Sequence, residues 1–372
     1  MFGLEPWNFR IGAQPPLPLI IFRNFSLTEM NVAIVGPAFF GYLNRIAGLM
    51  TGRGVPTRFY DEFPSNGILT KIILRYSPLA VRQRATRRYH EQITTEIIRS
   101  GATHVLFGTI EMFPHACIRR LKSHGIAMSR YAWDSVHNKP YAKTLDPYMR
   151  AVASFDPGDC KREGYMYVPL YSGARASTPK GRYDIDFLYC ATFHSNRPSI
   201  ISKIVKASLR EDWKLELMLF FHSRRLWYLR YLLSPSVWHM GRLIVTTPFS
   251  LDDIADMTAR SRVVIDIHHG GQSGLTMRTF EALSLGAIVL TTNSVAREGL
   301  PLQLRDRVVV LDPNDVTGSM TQALAQQSGD LTEEMQYYLS ANRFIDQIIA
   351  LLLGVNEIVQ AGGVDASESC GS

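Results

Sequence analysis

Side chains able to bind an anion and a sugar hydroxyl are concentrated between Gln272 and Glu281. Gln272, Ser273 and Thr276 can each donate a hydrogen bond to a phosphate oxygen, and Arg278 adds a positive charge. The carboxylate of Glu281 can accept hydrogen bonds from ribose hydroxyls. The alternative is a capped helix on which Arg278 and Glu281 form an i,i+3 surface pair. This group of residues therefore predicts either a phosphate site or an ordinary helix start.

The surrounding pattern predicts a strand, a polar loop, a helix and a second strand. Residues 262–267 form the first, mainly apolar strand, the helix is expected from Leu275 to Leu285, and Gly286 ends it. A helix that follows such a loop presents free N–H groups and a positive dipole end. His269, Gly274 and Leu275 would then lie beside the bound anion. This βαβ unit strengthens the phosphate-site interpretation.

The composition is that of a globular α/β protein. The chain has 372 residues, of which 46% are hydrophobic and 20% charged, and its net charge is +7. The four cysteines are widely spaced, which predicts free thiols in a reducing, cytoplasmic setting. No apolar run reaches the roughly 20 residues of a membrane span, and the first residues do not resemble a signal peptide.

Alternation of strands and helices predicts two doubly wound, mainly parallel sheets that face a cleft. Strands are expected at Val32–Gly36, His104–Phe107 and Leu215–Phe220, and one long helix at residues 333–353. The expected divisions are an N-terminal arm or mis-assigned start (1–29), a first domain (30–172), a linker (173–182), a second domain (183–330), a C-terminal helix that could pack back on the first domain (331–356), and a disordered tail (357–372).

A second group of polar residues, including His194 and Arg197, follows the strand predicted to open the second domain. Arg197 can make two hydrogen bonds to phosphate oxygens, and His194 can donate one. The alternative is a surface salt bridge of Arg197.

In the first domain, the loop containing Gly36 and Phe39 follows the first strand, where a sugar could approach the backbone. It lacks the GxGxxG pattern of dinucleotide-binding folds. Glu111 and Asp134 each follow a predicted strand, so either could act as general base for an acceptor hydroxyl. The alternatives are an Asx turn or helix cap for Asp134 and a solvated loop acid for Glu111.

Two further features concern metals and membranes. The adjacent pair His268 and His269 lacks the carboxylate or cysteine that would complete a metal site, so no metal is expected. Basic residues greatly outnumber acidic ones from Lys71 to Arg130. Such a face could contact an anionic membrane, or it could be a solvated helix surface. Nucleic acid is disfavoured, since no recognisable binding module interleaves aromatic and basic residues.

Four stretches carry a family resemblance. QSGLTMRTFEALSLGAIVLTTN (272–293) resembles the donor-binding segment of group 1 glycosyltransferases with the GT-B fold, especially the bacterial polysaccharide and spore-coat glycosyltransferase-like branch. YAWDSVHN (131–138), SFDPGDCKREG (154–164) and YDIDFLYCATFHSNR (183–197) are similar to the same branch and occur in its order. The resemblance as a whole covers roughly residues 30–353.

The resemblance implies that the first domain binds the acceptor and the second a nucleotide-sugar donor. Glu281 matches the second of two family glutamates and would bind the donor ribose. Ser273 stands where the first glutamate would be, so Gln272, Ser273 and Gly274 are the expected sugar contacts. The expected activity is transfer of a sugar to a polysaccharide, lipid-linked or other cell-envelope acceptor, with no cofactor. The alternatives are a non-catalytic GT-B scaffold that binds nucleotide or sugar, and a nucleotide-sugar epimerase.

Overall fold

The structure, a computed structural model, describes residues 29–38, 41–64, 77–174, 183–192, 198–220, 244–245, 250–268, 271–327 and 329–355. The chain divides into two compact units. The unit here called the C-terminal domain is Pro169–Arg343, and the N-terminal domain ends at Val168 and resumes at Phe344. The predicted N-terminal arm, the predicted linker and the predicted tail lie almost entirely outside the described residues.

The N-terminal domain is built on a parallel sheet. Its strands are β1 (Val32–Gly36), β2 (Thr57–Asp61), β3 (His104–Phe107), β4 (Ala127–Ala132), β5 (Ala151–Ser154) and β6 (Met166–Tyr167). They are ordered β2-β1-β3-β4-β5-β6, and every pair is parallel. Its helices are α1 (Tyr42–Gly52), α2 (Leu79–Arg99), α3 (His115–Ser123), α4 (Pro140–Lys143) and α5 (Pro157–Glu163), with a 3₁₀ turn at Asp146–Tyr148.

The C-terminal domain repeats this plan. Its strands are β7 (Ile185–Thr192), β8 (Leu215–Phe220), β9 (Ile244–Val245), β10 (Ser261–Asp266), β11 (Ile288–Thr291) and β12 (Val308–Val310). They are ordered β12-β11-β10-β7-β8-β9, again all parallel. The helices are α6 (Pro198–Arg210), α7 (Leu251–Ala259), α8 (Met277–Ser284), α9 (Leu302–Arg305), α10 (Val316–Ala325) and α11 (Glu333–Leu339), and α12 (Ala341–Leu353) closes the described chain.

The central strands of both sheets form because their residues are mainly apolar, as a sheet covered on both faces requires. All five residues of β1 and all four of β11 are buried. The predicted strands at Val32–Gly36, His104–Phe107 and Leu215–Phe220 are confirmed. The predicted doubly wound, parallel-sheet class is also confirmed.

The prediction of one helix over residues 333–353 is wrong, because the helix breaks at Ser340. Ser340 has extended backbone angles, and its hydroxyl accepts a hydrogen bond from the Arg343 N–H at 3.2 Å. Arg343 is buried and donates to the carbonyl oxygens of Pro169 (2.8 Å) and Leu170. The segment with one continuous apolar pattern therefore forms two helices, separated at the Ser340 cap and fixed there by buried Arg343.

The rest of α12 packs within the N-terminal domain. The Phe344 ring lies 5.2 Å from the Tyr131 ring and 5.5 Å from the Trp133 ring, both measured between centroids. Ser129 Oγ donates to the Leu351 carbonyl at 3.1 Å. Among the described helices, none is long and apolar enough to span a membrane.

Two glycines let α1 approach the N-terminal sheet closely. A Cβ atom on Gly36 would lie 2.5 Å from Leu43 Cδ1, and one on Gly108 would lie 3.0 Å from the same atom. Leu43 is itself buried, so it has little room to move. Gly36 is therefore required by helix packing, whether or not a ligand approaches its backbone.

Gly36→Ala should destabilise the protein by about 1–3 kcal/mol, because the new methyl group overpacks the contact with Leu43. Combining it with Leu43→Ala should cost less than the two separate losses together. Gly48→Ala on α1 is the matched control: its new methyl meets nothing within 4 Å, and alanine favours helix. Denaturant unfolding of the wild type and the four variants measures these changes. An unchanged midpoint for Gly36→Ala would contradict the packing argument.

Candidate functional site

The C-terminal sheet reverses its strand order between β7 and β10. In open α/β sheets, ligands bind outside the carboxyl ends of the strands at such a switch point. There β10 ends at Asp266, and α8 begins at Met277 after the connecting loop. The segment from Gln272 to Glu281 therefore lies where this type of sheet binds ligands.

A buried carboxylate fixes the start of α8. Thr276 caps the helix, with its Oγ1 accepting a hydrogen bond from the Thr279 N–H at 3.3 Å. The hydroxyls of Thr276 and Thr279 each donate to Asp266 Oδ2 at 2.7 Å. The Thr276 hydroxyl therefore donates its hydrogen bond to Asp266, and not to a phosphate oxygen as predicted. The cap also explains why the helix begins at Met277 and not at the predicted Leu275, whose side chain is buried.

Arg278 and Glu281 form an ion pair on α8. Arg278 Nη1 lies 3.0 Å from Glu281 Oε2, and the two side chains are only 20% and 11% exposed. Arg278 Nη1 has no hydrogen-bond partner among the described residues, so this contact is an ion pair without a hydrogen bond. The predicted i,i+3 pair therefore exists, but it is largely buried instead of lying on the surface. At the start of α8 the backbone amides of Met277 and Arg278 have no intrahelical acceptor, so this end of the helix carries the positive end of the helix dipole. The guanidinium of Arg278 and the carboxylate of Glu281 lie beside it.

Cys190, near the end of β7, lies within electrostatic reach of this pair. Burial raises the pKa of its thiol, while the charge of Arg278 lowers it and that of Glu281 raises it. Sequence reasoning did not single out Cys190, nor Asp266 or Asn293. Each lies near, at or just beyond the carboxyl end of a predicted strand, and this position could have identified it as a candidate from the sequence.

The loop before α8 is fixed from the next strand. Asn293, buried just after β11, donates from Nδ2 to the Ser273 carbonyl at 2.9 Å. Gly274 is buried, whereas Gln272 and Ser273 are half-buried. Gly271 has a φ of 95°, a left-handed conformation that favours glycine. The loop is thus held by its backbone.

Four predicted site residues lie outside the described part of the chain: Phe39, His194, Arg197 and His269. Their proposed roles remain predictions from the sequence.

In the N-terminal domain, the switch point falls between β1 and β3. Glu111 lies on the loop after β3, and its carboxylate is 18% exposed. Lys139 Nζ donates to Glu111 Oε1 at 2.5 Å, and Arg82 Nη1 lies 3.9 Å from Oε2. Glu111 is therefore not the solvated loop acid of the alternative interpretation. It is a largely buried carboxylate between two cations.

Asp134 follows β4 and has a local structural role. Its Oδ1 accepts hydrogen bonds from the Ser135 N–H at 2.9 Å and from Asn138 Nδ2 at 2.8 Å. This is the turn-stabilising arrangement that an aspartate often makes. Of the two candidate bases, Glu111 is the one whose carboxylate is not used to stabilise its own turn.

Glu62, which follows β2 directly, is the residue that sequence reasoning missed here. Its carboxylate is fully buried and accepts hydrogen bonds from the backbone N–H groups of Glu111, Met112 and Phe113, the shortest at 2.7 Å. Burial raises the pKa of Glu62 to about 7, although these N–H groups oppose the shift. The loop that carries Glu111 is thus attached to a buried acid.

No protein-family model and no curated protein sequence matches the chain. Solved structures do match its fold. A glycosyltransferase from Rickettsia africae superposes with a TM-score of 0.57 at 10% identity, over 87% of this chain and 98% of that one. The chain has the GT-B fold.

Two other enzymes with this architecture are equally distant in sequence. The UDP-GlcNAc 2-epimerase of Methanocaldococcus jannaschii, in complex with UDP-GlcNAc and UDP, gives a TM-score of 0.53 at 10% identity, over 87% of this chain and 99% of that one. A UDP-forming α,α-trehalose-phosphate synthase from Burkholderia vietnamiensis gives a TM-score of 0.52 at 10% identity, over 87% of this chain and 100% of that one. Likeness at this identity shows the fold.

Glu62 should make stability depend on pH. Its pKa rises from 4.5 to about 7 on folding, so the stability it contributes is complete below pH 4.5 and lost as pH rises through 7. Relative to Glu62→Gln, the wild type should lose about 3 kcal/mol across this window.

Thermal unfolding of both proteins from about pH 4 to about pH 8 tests this expectation. His90 titrates in the opposite sense, because burial lowers its pKa, but it is present in both proteins and cancels in their difference. A difference that does not change with pH would contradict the assignment.

Proposed function

We propose that the chain transfers a sugar from a nucleotide-sugar donor, bound by the C-terminal domain, to a saccharide, lipid-linked or other cell-envelope acceptor. The observation that supports this most directly is the largely buried Arg278–Glu281 pair at the N-terminal end of α8, at the switch point of the sheet. A helix start with a nearby cation attracts a diphosphate, and a carboxylate beside it attracts ribose hydroxyls.

In this proposal the backbone amides at the start of α8, together with Arg278, stabilise the diphosphate as it leaves. Glu281 accepts hydrogen bonds from the ribose, and the two oxygens of a carboxylate have room for this beside an ion pair. Gln272, Ser273 and Gly274 contact the sugar. His194, Arg197 and His269 retain the donor-binding roles predicted from sequence.

On the acceptor side, Glu111 is the proposed general base. An acceptor hydroxyl gives its proton to a base as its oxygen attacks the anomeric carbon, and the nucleoside diphosphate departs with the bonding electrons. Positive groups at a helix start stabilise that departure electrostatically, so the scheme requires no metal. Activity should persist in a chelator such as EDTA.

An epimerase is the second candidate, because UDP-GlcNAc 2-epimerases share this architecture as closely as transferases do. The two activities differ in what they need. An epimerase converts the nucleotide sugar alone, whereas a transferase releases the nucleoside diphosphate and depends on an acceptor. Incubation with UDP-, GDP- and dTDP-sugars, with and without acceptor, separates them.

Glu281→Gln should weaken nucleotide binding by about 10-fold or more, because the neutral amide loses both the ion pair with Arg278 and a charged acceptor for ribose. Calorimetric titration with UDP, GDP and dTDP measures the loss, and the donor panel measures turnover. Glu298→Gln, at an exposed position of the same domain, is the matched control.

Two outcomes of this experiment would contradict the proposal. If Glu281→Gln kept full nucleotide binding and turnover, Glu281 would have no role in the donor site. Nucleotide binding by the wild type without turnover of any donor would favour the non-catalytic scaffold.

We also propose that the N-terminal domain contacts an anionic membrane, where a lipid-linked acceptor would reside. A groove with a volume of about 1130 Å³ runs between α2 and α3. It is lined by five exposed arginines and two glutamates, namely Arg84, Arg87, Arg88, Arg99, Arg120, Glu91 and Glu96. Arginine is well suited to phosphate groups, since its planar fork makes two parallel hydrogen bonds.

Replacing Arg84 and Arg88 by glutamine should weaken binding to anionic vesicles by about 10- to 30-fold, at about 1 kcal/mol for each basic residue near the surface. Co-sedimentation with vesicles of mixed anionic and zwitterionic lipid measures the change. The control, Lys206→Gln with Arg210→Gln, removes two exposed charges from α6. Equal loss in both double variants would indicate a general charge effect.

A further inference from the structure

The backbone after β3 is held on its N–H side by one carboxylate. Glu62 Oε1 accepts from Met112 N at 2.7 Å and from Phe113 N at 2.9 Å. Glu111 N is shared between the two oxygens, at 3.1 Å from Oε1 and 3.0 Å from Oε2. Three consecutive amides thus converge on one buried side chain.

The carbonyl side of the same segment is held by two other side chains. Gln83 Nε2, on α2, donates to the Met112 carbonyl at 3.2 Å. The Tyr141 hydroxyl, on α4, donates to the Phe113 carbonyl at 2.7 Å and accepts from Gln83 Nε2 at 2.8 Å. Because N–H and C=O groups are both bonded, the path of this segment is fixed.

Glu62 is itself fixed by neighbouring elements. Its N–H donates to the Gly36 carbonyl at 2.9 Å, and its carbonyl lies 2.9 Å from His90 Nε2. A carbonyl only accepts, so the proton of neutral His90 is on Nε2. Burial lowers the pKa of His90 and favours this neutral form. The acid is therefore attached to the end of β1 and to α2.

We propose that Glu62 is the positioning residue for Glu111: by ordering the backbone of Glu111, Met112 and Phe113, it sets where the Glu111 carboxylate lies between Lys139 and Arg82. This inference rests on the proposed function, in which Glu111 accepts the proton of the acceptor. Glu62 is fully buried and acts through Glu111, without contact to the reacting groups.

The charge of Glu62 matters as well as its shape. An ionised carboxylate offers both oxygens as acceptors to the three amides, whereas protonation turns one oxygen into a hydrogen-bond donor. The titratable and charged groups around it are Glu111, His90 and Tyr141, with Arg82 and Lys139 beyond Glu111. Protonation of Glu62 removes the cost of burying its charge and so stabilises the fold as a whole, but it weakens the hydrogen bonds to this segment. It should therefore loosen the segment locally and reduce turnover.

Glu62→Gln is the appropriate variant, since the amide keeps the size of the side chain and one oxygen for the amides of Met112 and Phe113. Its NH₂ group then faces the Glu111 N–H, where the wild type has an acceptor. Because small displacements of a reacting group are costly, kcat should fall by about 10- to 100-fold. KM for the nucleotide sugar should be unchanged, and the acidic limb of the pH–kcat profile should move.

A double-mutant cycle separates positioning from general destabilisation. If Glu62 acts through Glu111, Glu62→Gln should lower kcat in the wild type and have no further effect on the residual rate of Glu111→Gln. A purely structural role would lower both rates by the same factor. Glu298→Gln is the control for loss of an acid elsewhere. Additive effects in the cycle would overturn the proposal.

Hydrogen exchange gives a readout that needs no activity. In Glu62→Gln, the amides of Glu111, Met112 and Phe113 should exchange at least about 10-fold faster, and those of α8 at the wild-type rate. Unchanged exchange at Glu111 would overturn the proposal even if kcat fell. If the wild type turned over no donor, the proposed function would fail, and exchange alone would then decide whether Glu62 holds this segment.

Discussion

The structure depends on burying parallel strands on both faces. When a strand such as β1 or β11 has no exposed position, its side chains cannot supply polar chemistry along its length. Polar groups must then collect in the loops at the strand ends, and parallel pairing places all the carboxyl ends of a sheet at one edge. Where the strand order reverses, the loops on either side lead apart and leave space for a ligand.

In both domains, a buried carboxylate at the carboxyl edge of the sheet fixes a loop or helix that carries a candidate functional residue. A loop that carries a candidate functional carboxylate must have a defined path. Where the loop departs from the buried edge of the sheet, its backbone amides and hydroxyls need new hydrogen-bond acceptors. In the C-terminal domain, buried Asp266 accepts the hydroxyls of Thr276 and Thr279 and so fixes the helix that carries Glu281. In the N-terminal domain, buried Glu62 accepts three amides and fixes the segment that carries Glu111.

The sequence was sufficient for features that depend on neighbouring residues. Apolar runs between glycine and proline gave the strands, and their alternation with helices gave the parallel class. The prediction of one helix over 333–353 was wrong because a local pattern does not show that Ser340 caps a new helix or that Arg343 binds two carbonyls far along the chain. Glu62 was missed for a related reason, since its partners lie 49 to 51 positions away. Long-range hydrogen bonds to backbone atoms leave no periodicity in the sequence.

Ser273 bears on where proton transfer takes place in the proposed function. The family that the chain resembles has a glutamate at this position, whereas the serine hydroxyl carries no charge at neutral pH and is a poor base. With serine, the C-terminal site contains one largely buried pair, Arg278 with Glu281, whose charges cancel. Glu281 is then the one carboxylate between Gln272 and Glu281, and the proposed function assigns it to the ribose. The base of the reaction is then expected in the N-terminal domain, where Glu111 lies on a segment whose amides are bonded to buried Glu62.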